Sequence, residues 1–296
     1  MASPLPKTHS AVQLDNPGPN NTLTLNSGLP LPVPKEGEVL VRSTYGGINY
    51  IDTYFRSGLY AVPHLPNTLG REGEGIVVAL GPGVADSPDT SISSIKVGDR
   101  VAHAGTDTYA EYVAVLATRT IKLSDKIPSG LGAASMIQGL TAVTLVRESY
   151  PAKKGDWVIV HAAAGGMGLL LTQILSRTIG AHVIATASTE EKLQIAKANG
   201  AEVLINYKDT DWVAEVRKVK EVQERGGVDA ILDGVGKVTF DGGLEVLRRK
   251  GTFVSFGNAS GAVEPFALAR LASKNLKILR PQLYGYIGMF NLFSVD

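Results

Sequence analysis

The sequence predicts an α/β protein in which a β-rich domain precedes a doubly wound parallel sheet. In residues 1 to about 126, short apolar and β-branched runs are separated by proline and glycine turns, which favours antiparallel strands. From residue 127 to about 282, Val/Ile-rich runs alternate with segments of helical spacing. Such alternation is typical of βαβ units whose strands are buried on both faces.

The first domain is predicted from four strand-like runs and the turns between them. The runs are residues 38–42, 75–80, 100–102 and 109–113. Residues 16–20 and 81–83 are rich in proline and glycine and predict turns. The polar run 86–94 predicts a solvated loop.

A glycine-rich segment at residues 157–168 opens the second domain. The run Val158-Ile-Val160 predicts a strand, and an apolar helical pattern starts at Leu169. The spacing is a variant of the dinucleotide fingerprint G-x-G-x-x-G, with an alanine at the first glycine position. We expect glycines in the turn to let a pyrophosphate reach the N–H groups at the helix N-terminus. The predicted cofactor contacts here are Ala163, Gly165, Gly166, Met167 and Gly168.

Close packing of a strand on a helix would also explain those glycines, so the downstream pattern is needed to favour a nucleotide. Further strands are predicted at 182–187, 202–207, 230–235, 251–257 and 276–279. The first helix ends near Gly180, and a capping box at 188–191 predicts a second helix down to Gly200. This series predicts a Rossmann fold that binds pyrophosphate after its first strand.

The end of the second strand indicates which dinucleotide binds. NAD-specific folds usually place an acidic residue there, on the ribose 2′-hydroxyl. This chain has Ser188 at that position and Lys192 one helical turn later. A hydroxyl and a cation accept a 2′-phosphate, so the sequence predicts NADPH. Alternatively, Ser188 is only a helix cap and Lys192 a solvated surface residue.

Composition limits the classes of function. The chain has 296 residues, 44% of them hydrophobic, and a formal net charge of +1, which disfavours nucleic-acid binding. It contains no cysteine, which excludes disulfides, thiol catalysis and zinc sites built on thiolates. We find no signal-peptide pattern and no run of 18 apolar residues. The expected location is the cytoplasm, without a membrane partner.

Several motifs, in the same order, carry a resemblance to a known family. The chain resembles the zeta-crystallin-like NADPH:quinone oxidoreductases, a zinc-free branch of the medium-chain dehydrogenase/reductase superfamily. The resembling segments are residues 48–60, 69–73, 97–101, 139–142, 161–168 and 254–258. The resemblance implies a GroES-like domain at residues 1–126 and a Rossmann NADPH-binding domain at 127–282. It also implies that the substrates are quinones, since the family reduces quinones with NADPH.

Comparison with zinc-dependent members of this superfamily implies chemistry without a metal. Those enzymes carry a catalytic cysteine where this chain has Asn49 and a histidine where it has Arg71. Without a Lewis acid, alcohol oxidation is disfavoured. Hydride transfer to a quinone needs less assistance because the acceptor delocalises the charge. The implied activity is metal-independent reduction of quinones by NADPH.

The resemblance also implies site residues outside the glycine turn. Catalytic candidates are Asn49, Tyr54, Tyr60 and Arg280, and further cofactor contacts are Asn49, Thr141, Tyr207, Phe256, Gly257 and Asn258. Thr141 is predicted on a helix over residues 133–148. Alternatively, the tyrosines only pack against the β domain and Thr141 bonds to its own helix. His161 is expected to be packed or hydrogen-bonded, and Asp52 to pair with Arg56.

The resemblance ends after residue 287, where the family continues with a segment that returns to the β domain. Residues 283–296 are therefore expected to be the start of a truncated return segment. The family also implies a homodimer formed through residues 276–281. Two alternative functions remain. One is an enone or enal reductase, and the other is an NADPH-binding protein with little turnover, either structural or RNA-binding.

Overall fold

The computed structural model describes residues 4–287 of the chain. These residues form two compact units, with the boundary after Ile137. The first unit is built on antiparallel sheets and the second on one parallel sheet, which confirms the predicted fold class. The boundary predicted from the sequence, between residues 126 and 127, lies before the last helix of the first unit.

Eight strands form the two sheets of the first unit. They are β1 (Thr8–Leu14), β2 (Leu23–Pro30), β3 (Glu38–Gly46), β4 (Asn67–Thr68), β5 (Gly73–Leu80), β6 (Arg100–His103), β7 (Tyr112–Leu116) and β8 (Thr120–Lys122). The strand orders are β2-β1-β4 and β7-β3-β5-β6-β8. Valines two residues apart, such as Val39 and Val41 or Val113 and Val115, point into one apolar core.

Three helices belong to this unit: α1 (Tyr50–Ser57), α2 (Thr90–Ser93) and α3 (Leu131–Met136). Helix α1 ends at Gly58, which has the left-handed conformation that favours glycine. Helix α2 lies within the segment predicted to be a solvated loop. It forms because the Asp89 carboxylate caps its start, and Ile92 packs against the core.

Helix α3 belongs to the first unit because a buried carboxylate on β5 holds its start. Glu74 accepts hydrogen bonds from the N–H groups of Gly130 at 3.0 Å and Gly132 at 3.1 Å. The same carboxylate lies 3.1 Å from the Arg100 guanidinium. These contacts join residues far apart in sequence, and they attach the start of α3 to β5.

Six parallel strands form the sheet of the second unit. They are β9 (Trp157–Val160), β10 (His182–Ala187), β11 (Val203–Asn206), β12 (Val228–Asp233), β13 (Leu247–Ser255) and β14 (Lys277–Leu279). Their order, β11-β10-β9-β12-β13-β14, is that of a dinucleotide-binding doubly wound sheet. The predicted Rossmann fold is confirmed.

Helices cover both faces of this sheet. They are α4 (Gln138–Thr144), α5 (Gly166–Gln173), α6 (Glu190–Ala198), α7 (Trp212–Lys218), α8 (Lys220–Glu224), α9 (Phe240–Val246) and α10 (Leu283–Ile287). Val158 and Val160 of β9 pack with Leu171 of α5, whereas Ile159 packs on the opposite face with Val216 of α7. Adjacent residues of one strand therefore enter two separate cores.

One predicted helix differs in detail from the structure, and one predicted segment lies mostly outside the described residues. The helix predicted over residues 133–148 is divided into α3 and α4, with Ile137 between them, and α4 continues into a π-helical turn, Leu145–Ser149. The predicted C-terminal segment, residues 283–296, is described only as far as α10, so residues 288–296 lie outside the described part. No helix within residues 4–287 is long and apolar enough to span a bilayer.

Candidate functional site

The turn between β9 and α5 presents main chain to solvent at the carboxyl end of the sheet. Gly165 and Gly166 are exposed, whereas Ala163 is fully buried and donates its N–H to the Thr186 carbonyl at 3.1 Å. Gly165 precedes the first residue of α5, and its N–H donates to the Ala162 carbonyl at 2.9 Å. First-turn N–H groups have no acceptor within their own helix, so this turn suits a phosphate.

The sharp change of chain direction in this turn does not depend on its glycines. The sharp turn is made by Ala162, which has a φ of 52°, whereas Gly165 has a φ of −78°. The absence of a side chain at Gly168 instead lets α5 approach the main chain of the turn closely. A side chain on Gly168 would come within 2.6 Å of the Ala163 Cα, so only glycine lets α5 pack this closely on the turn. Met167, between them, is half-buried against the core.

Ser188 and Lys192 lie together at the end of β10. The Lys192 Nζ donates to the Ser188 Oγ at 3.3 Å. The cap of α6 is Thr189, whose hydroxyl accepts from the Lys192 N–H, so the predicted capping box starting at Ser188 is wrong by one residue. Because Ser188 does not cap the helix, its hydroxyl lies beside the lysine, and the contact of this pair with a phosphate stays a prediction. Tyr207, just beyond β11, is exposed and donates its N–H to the Ala187 carbonyl at 3.1 Å.

Another group of predicted contacts follows β13 at the same edge of the sheet. The Arg280 guanidinium donates to the Ser255 Oγ at 2.8 Å and to the Gly257 carbonyl at 3.1 Å. Asn258 accepts from Arg280 at 3.0 Å when its amide is oriented to satisfy both of its groups. Gly257 passes close to Gly234, and Phe256 donates its N–H to the Asp233 carbonyl at 2.8 Å. Arg280 therefore braces the segment that holds the other candidates.

Two further predictions concern single residues of the second unit. Thr141 lies in α4 and is half-buried, and its contact with a cofactor stays a prediction. His161 is buried, and its Nδ1 is 2.9 Å from the Thr186 hydroxyl. Burial lowers the pKa of His161. The expectation that this histidine is a packed, hydrogen-bonded residue is confirmed.

In the first unit, Asn49 is the residue before α1, and its amide is buried against Glu72. The Asn49 Nδ2 donates to the Glu72 Oε1 at 2.7 Å, and the Ile137 N–H donates to the Glu72 Oε2 at 2.6 Å. Burial raises the pKa of Glu72, although both hydrogen bonds oppose the shift. Glu72 therefore orients the amide of a predicted site residue. Glu72 was not predicted from the sequence, although the charged residues Arg71 and Glu72 between two glycines were a signal.

Tyr54 and Tyr60 are brought together by α1 and the segment after it. Their ring centroids are 5.2 Å apart in an edge-to-face arrangement, and Phe55 lies 5.7 Å from Tyr60. Tyr54 belongs to α1 and not to a loop, and its side chain is only 8% exposed. The two phenols thus form one aromatic cluster, and their contact with a substrate stays a prediction.

The predicted ion pair between Asp52 and Arg56 is wrong. The Asp52 Oδ2 accepts from the Tyr109 hydroxyl at 2.6 Å and from the Asn49 N–H at 2.9 Å. Arg56 donates instead to the Asn20 side chain. The spacing of one helical turn suggested the pair from sequence, but Tyr109, in the segment before β7, provides a partner that is 57 residues away.

Two family profiles and a close relative place the chain among known proteins. The profile "Alcohol dehydrogenase GroES-like domain" matches residues 35–125, and "Zinc-binding dehydrogenase" matches residues 166–293. A probable quinone oxidoreductase of Schizosaccharomyces pombe is 46% identical over 279 residues, covering 93% of this chain and 80% of that protein. The chain belongs to the quinone oxidoreductase family. That family is part of the medium-chain dehydrogenase/reductase superfamily, as the sequence motifs indicate.

Two other members of the superfamily bear on cofactor and substrate. The structure of Escherichia coli quinone oxidoreductase complexed with NADPH has a TM-score of 0.85 and 37% identity, covering 94% of this chain and 82% of that chain. A 2-haloacrylate reductase of a Burkholderia species is 35% identical over 276 residues, covering 89% of this chain and 78% of that protein.

The zinc in the name of one profile has no evident donor set in the part of the chain that the structure describes. Within residues 4–287, no group of three or more His, Cys, Asp or Glu side chains could hold a metal ion. The position that carries a cysteine in the zinc-dependent enzymes is Asn49, which bonds to Glu72. A metal-independent reaction remains the prediction.

Proposed function

We propose that the protein catalyses the NADPH-dependent reduction of quinones by hydride transfer. The observation that carries the proposal is the exposed glycine turn between β9 and α5, at the carboxyl edge of the parallel sheet. Ligands of open α/β sheets bind at this edge. Membership of the quinone oxidoreductase family supports the activity, and the NADPH complex of the E. coli relative supports the cofactor.

The second unit would bind the cofactor through its phosphates. The segment from Ala163 to Gly168 would cradle the pyrophosphate with main-chain N–H groups. Ser188 and Lys192, already in contact at 3.3 Å, would bind the 2′-phosphate, and Tyr207 would lie near the adenosine end. Hydrogen bonds to a charged phosphate are stronger than those between neutral groups, so this pair would distinguish NADPH from NADH.

Other residues would orient the reacting groups. NADPH, when bound, supplies the hydride, while the protein supplies orientation and excludes water. Asn49 would hold the carboxamide or ribose, with its amide fixed by Glu72. Thr141 and the segment Phe256, Gly257 and Asn258 would make further contacts. Arg280 keeps that segment in place through Ser255 and Gly257.

The aromatic cluster of the first unit would receive the acceptor. Tyr54 and Tyr60 can stack on a flat quinone ring and donate a hydrogen bond to the oxygen on which negative charge develops. A quinone delocalises that charge, so the reaction needs no Lewis acid. This agrees with Asn49 and Arg71 standing where the zinc-dependent enzymes carry cysteine and histidine.

Steady-state oxidation of NADPH tests the proposal. The purified chain is assayed with 1,2- and 1,4-quinones and with alkenals, and kcat/KM is compared across the panel. We expect larger values for the quinones. Larger values for the alkenals would overturn the substrate assignment, and NADPH binding without oxidation across the whole panel would favour a binding protein with little turnover.

The second candidate function is reduction of a C=C bond. It is favoured by one observation, the 35% identity to a 2-haloacrylate reductase over 89% of this chain. The same hydride and the same cofactor contacts would serve both reactions, so the panel above separates the candidates by acceptor alone. A homodimer and a cytoplasmic location remain predictions from the family resemblance.

A further inference from the structure

Ala162 gives the turn between β9 and α5 its shape. Its φ is 52°, in the left-handed region that residues other than glycine rarely adopt. The Ala162 carbonyl accepts the Gly165 N–H at 2.9 Å, so the conformation of Ala162 also determines where the glycines and the start of α5 lie. A residue in this region of backbone conformation persists there only where neighbouring contacts hold it.

Contacts that hold Ala162 come from Thr186 on the neighbouring strand β10. The Thr186 carbonyl accepts the N–H of Ala163, the residue after Ala162, at 3.1 Å. The Thr186 hydroxyl oxygen lies 2.9 Å from the Nδ1 of His161, the residue before Ala162. One residue is therefore bonded to the chain on both sides of the left-handed residue, once through its main chain and once through its side chain.

The His161 ring is held by its other neighbours as well. It packs edge to face with Trp212, at the start of α7, and the ring centroids are 4.9 Å apart. His161 is 3% exposed, and its N–H donates to the Leu232 carbonyl of β12 at 3.2 Å. Burial lowers the pKa of His161 below its ordinary value, so the ring is neutral at pH 7 and its Nδ1 can accept the Thr186 O–H.

The bond to Thr186 is the specific contact of this ring. Within residues 4–287, the Thr186 hydroxyl is its only hydrogen-bond partner, because the buried Nε2 has none. Loss of the bond would leave a buried polar atom unpaired. It would also remove the side-chain link between β10 and the residue that precedes Ala162.

We infer that His161 is a positioning residue for the cofactor. Its bond to Thr186 holds Ala162 in the left-handed conformation, and Ala162 in turn places the main-chain N–H groups that would bind the pyrophosphate. His161 thus acts through Ala162 and not by contact with the phosphate. The inference rests on the proposed function, because it concerns the turn at which NADPH would bind.

Fluorescence titration of NADPH on the full chain measures this role. In His161→Phe the ring still packs with Trp212 but the bond to Thr186 is lost, and we expect the Kd for NADPH to rise about threefold to tenfold. Thr186→Val removes the same bond from the other side and should have the same effect. Thr172→Val is the matched control, since Thr172 is also buried and its hydroxyl has no partner in the described part of the chain. It should bind NADPH as the parent does.

Ala162→Gly shows whether His161 acts through this residue. Glycine adopts a positive φ without strain, so a chain with this substitution no longer needs the bond to Thr186 to keep the turn. We expect His161→Phe to raise the Kd in the parent chain but to leave it unchanged when it is added to Ala162→Gly. A residue that only stabilised the core would cause the same loss in both chains.

Equal Kd values for the parent, His161→Phe and Thr186→Val would overturn the inference. The same loss in Thr172→Val, or a loss that persists in the Ala162→Gly chain, would also overturn it. Thermal unfolding of each variant without NADPH checks that the fold is kept, and if His161→Phe does not fold, Thr186→Val decides.

Failure of the proposed function is seen separately. NADPH binding that depends on His161, without oxidation by any quinone, would retain the inference and reject the quinone reductase. Oxidation of NADPH by quinones, with an unchanged Kd in His161→Phe and Thr186→Val, would do the reverse.

Discussion

Ser188 and Lys192 are the two residues that we propose to select the cofactor. Their side chains are in contact at the end of β10, where NAD-specific folds usually carry an acid. In the structure the N-cap of α6 is Thr189, not Ser188. The Ser188 hydroxyl therefore lies beside the lysine and does not cap the helix. The sequence predicted this pair, although it placed the cap one residue too early.

Lys192→Met should weaken NADPH binding by about tenfold while leaving NADH binding unchanged, because only NADPH carries the 2′-phosphate. Fluorescence titration of both reduced cofactors gives the two dissociation constants. Lys197→Met, an exposed lysine in the last turn of the same helix, is the control and should bind both cofactors normally. Equal weakening of NADPH and NADH by Lys192→Met would reject the 2′-phosphate contact.

In the turn between β9 and α5, Gly165 and Gly168 differ in how much space surrounds them. A Cβ added to Gly165 would have one close neighbour, the Ala162 carbonyl oxygen at 3.3 Å. A Cβ added to Gly168 would come within 2.6 Å of main chain at Ala163, which cannot move without moving the helix. The first glycine therefore leaves room for a ligand, whereas the second allows packing.

We expect Gly165→Val to fold and to lose NADPH binding, because its side chain would occupy the space of the phosphate. Gly168→Val should lower the free energy of unfolding by about 1–3 kcal/mol or more through overpacking. Denaturant unfolding and NADPH titration separate the two effects. Gly28→Val, whose Cβ would meet nothing closer than 3.9 Å, controls for valine in place of glycine. Normal NADPH affinity in Gly165→Val would remove the phosphate from this turn.

Across the chain, buried ionisable groups make stability depend on pH in opposite directions. Burial raises the pKa of Asp52 and of Glu72, so the stability that each contributes is lost as pH rises through its folded-state pKa. Burial lowers the pKa of His103 from 6.5 to about 4. This residue is fully buried on β6, and neither ring nitrogen has a partner within residues 4–287.

The stability contributed by neutral His103 is present above pH 6.5 and is lost as pH falls through about 4. The difference corresponds to about 3 kcal/mol between pH 7 and pH 4. His103→Leu should therefore lose less stability over this interval than the parent chain, as measured by denaturant unfolding at each pH. The carboxyl groups act equally in both proteins, so the difference isolates the histidine. Identical pH profiles would show that His103 is solvated in the native protein.

Much of the fold could be predicted because it depends on patterns among residues that are close in sequence. The Val/Ile runs, the glycine spacing and the position of Ser188 and Lys192 each lie within a few residues of one another. They predicted the Rossmann sheet and one edge of it as the cofactor site. The valines at alternate positions of β3 and β7 likewise predicted a β-rich first unit.

The remaining features depend on contacts between residues distant in sequence. Glu74 holds α3 in the first unit, Glu72 orients Asn49 across 23 residues, and Tyr109 replaces Arg56 as the partner of Asp52. A local pattern contains no information about which distant group fills a hydrogen bond. Packing brings these groups together. Because burying a polar group without a hydrogen bond is costly, these three carboxylates are paired with donors that are near in space rather than in sequence.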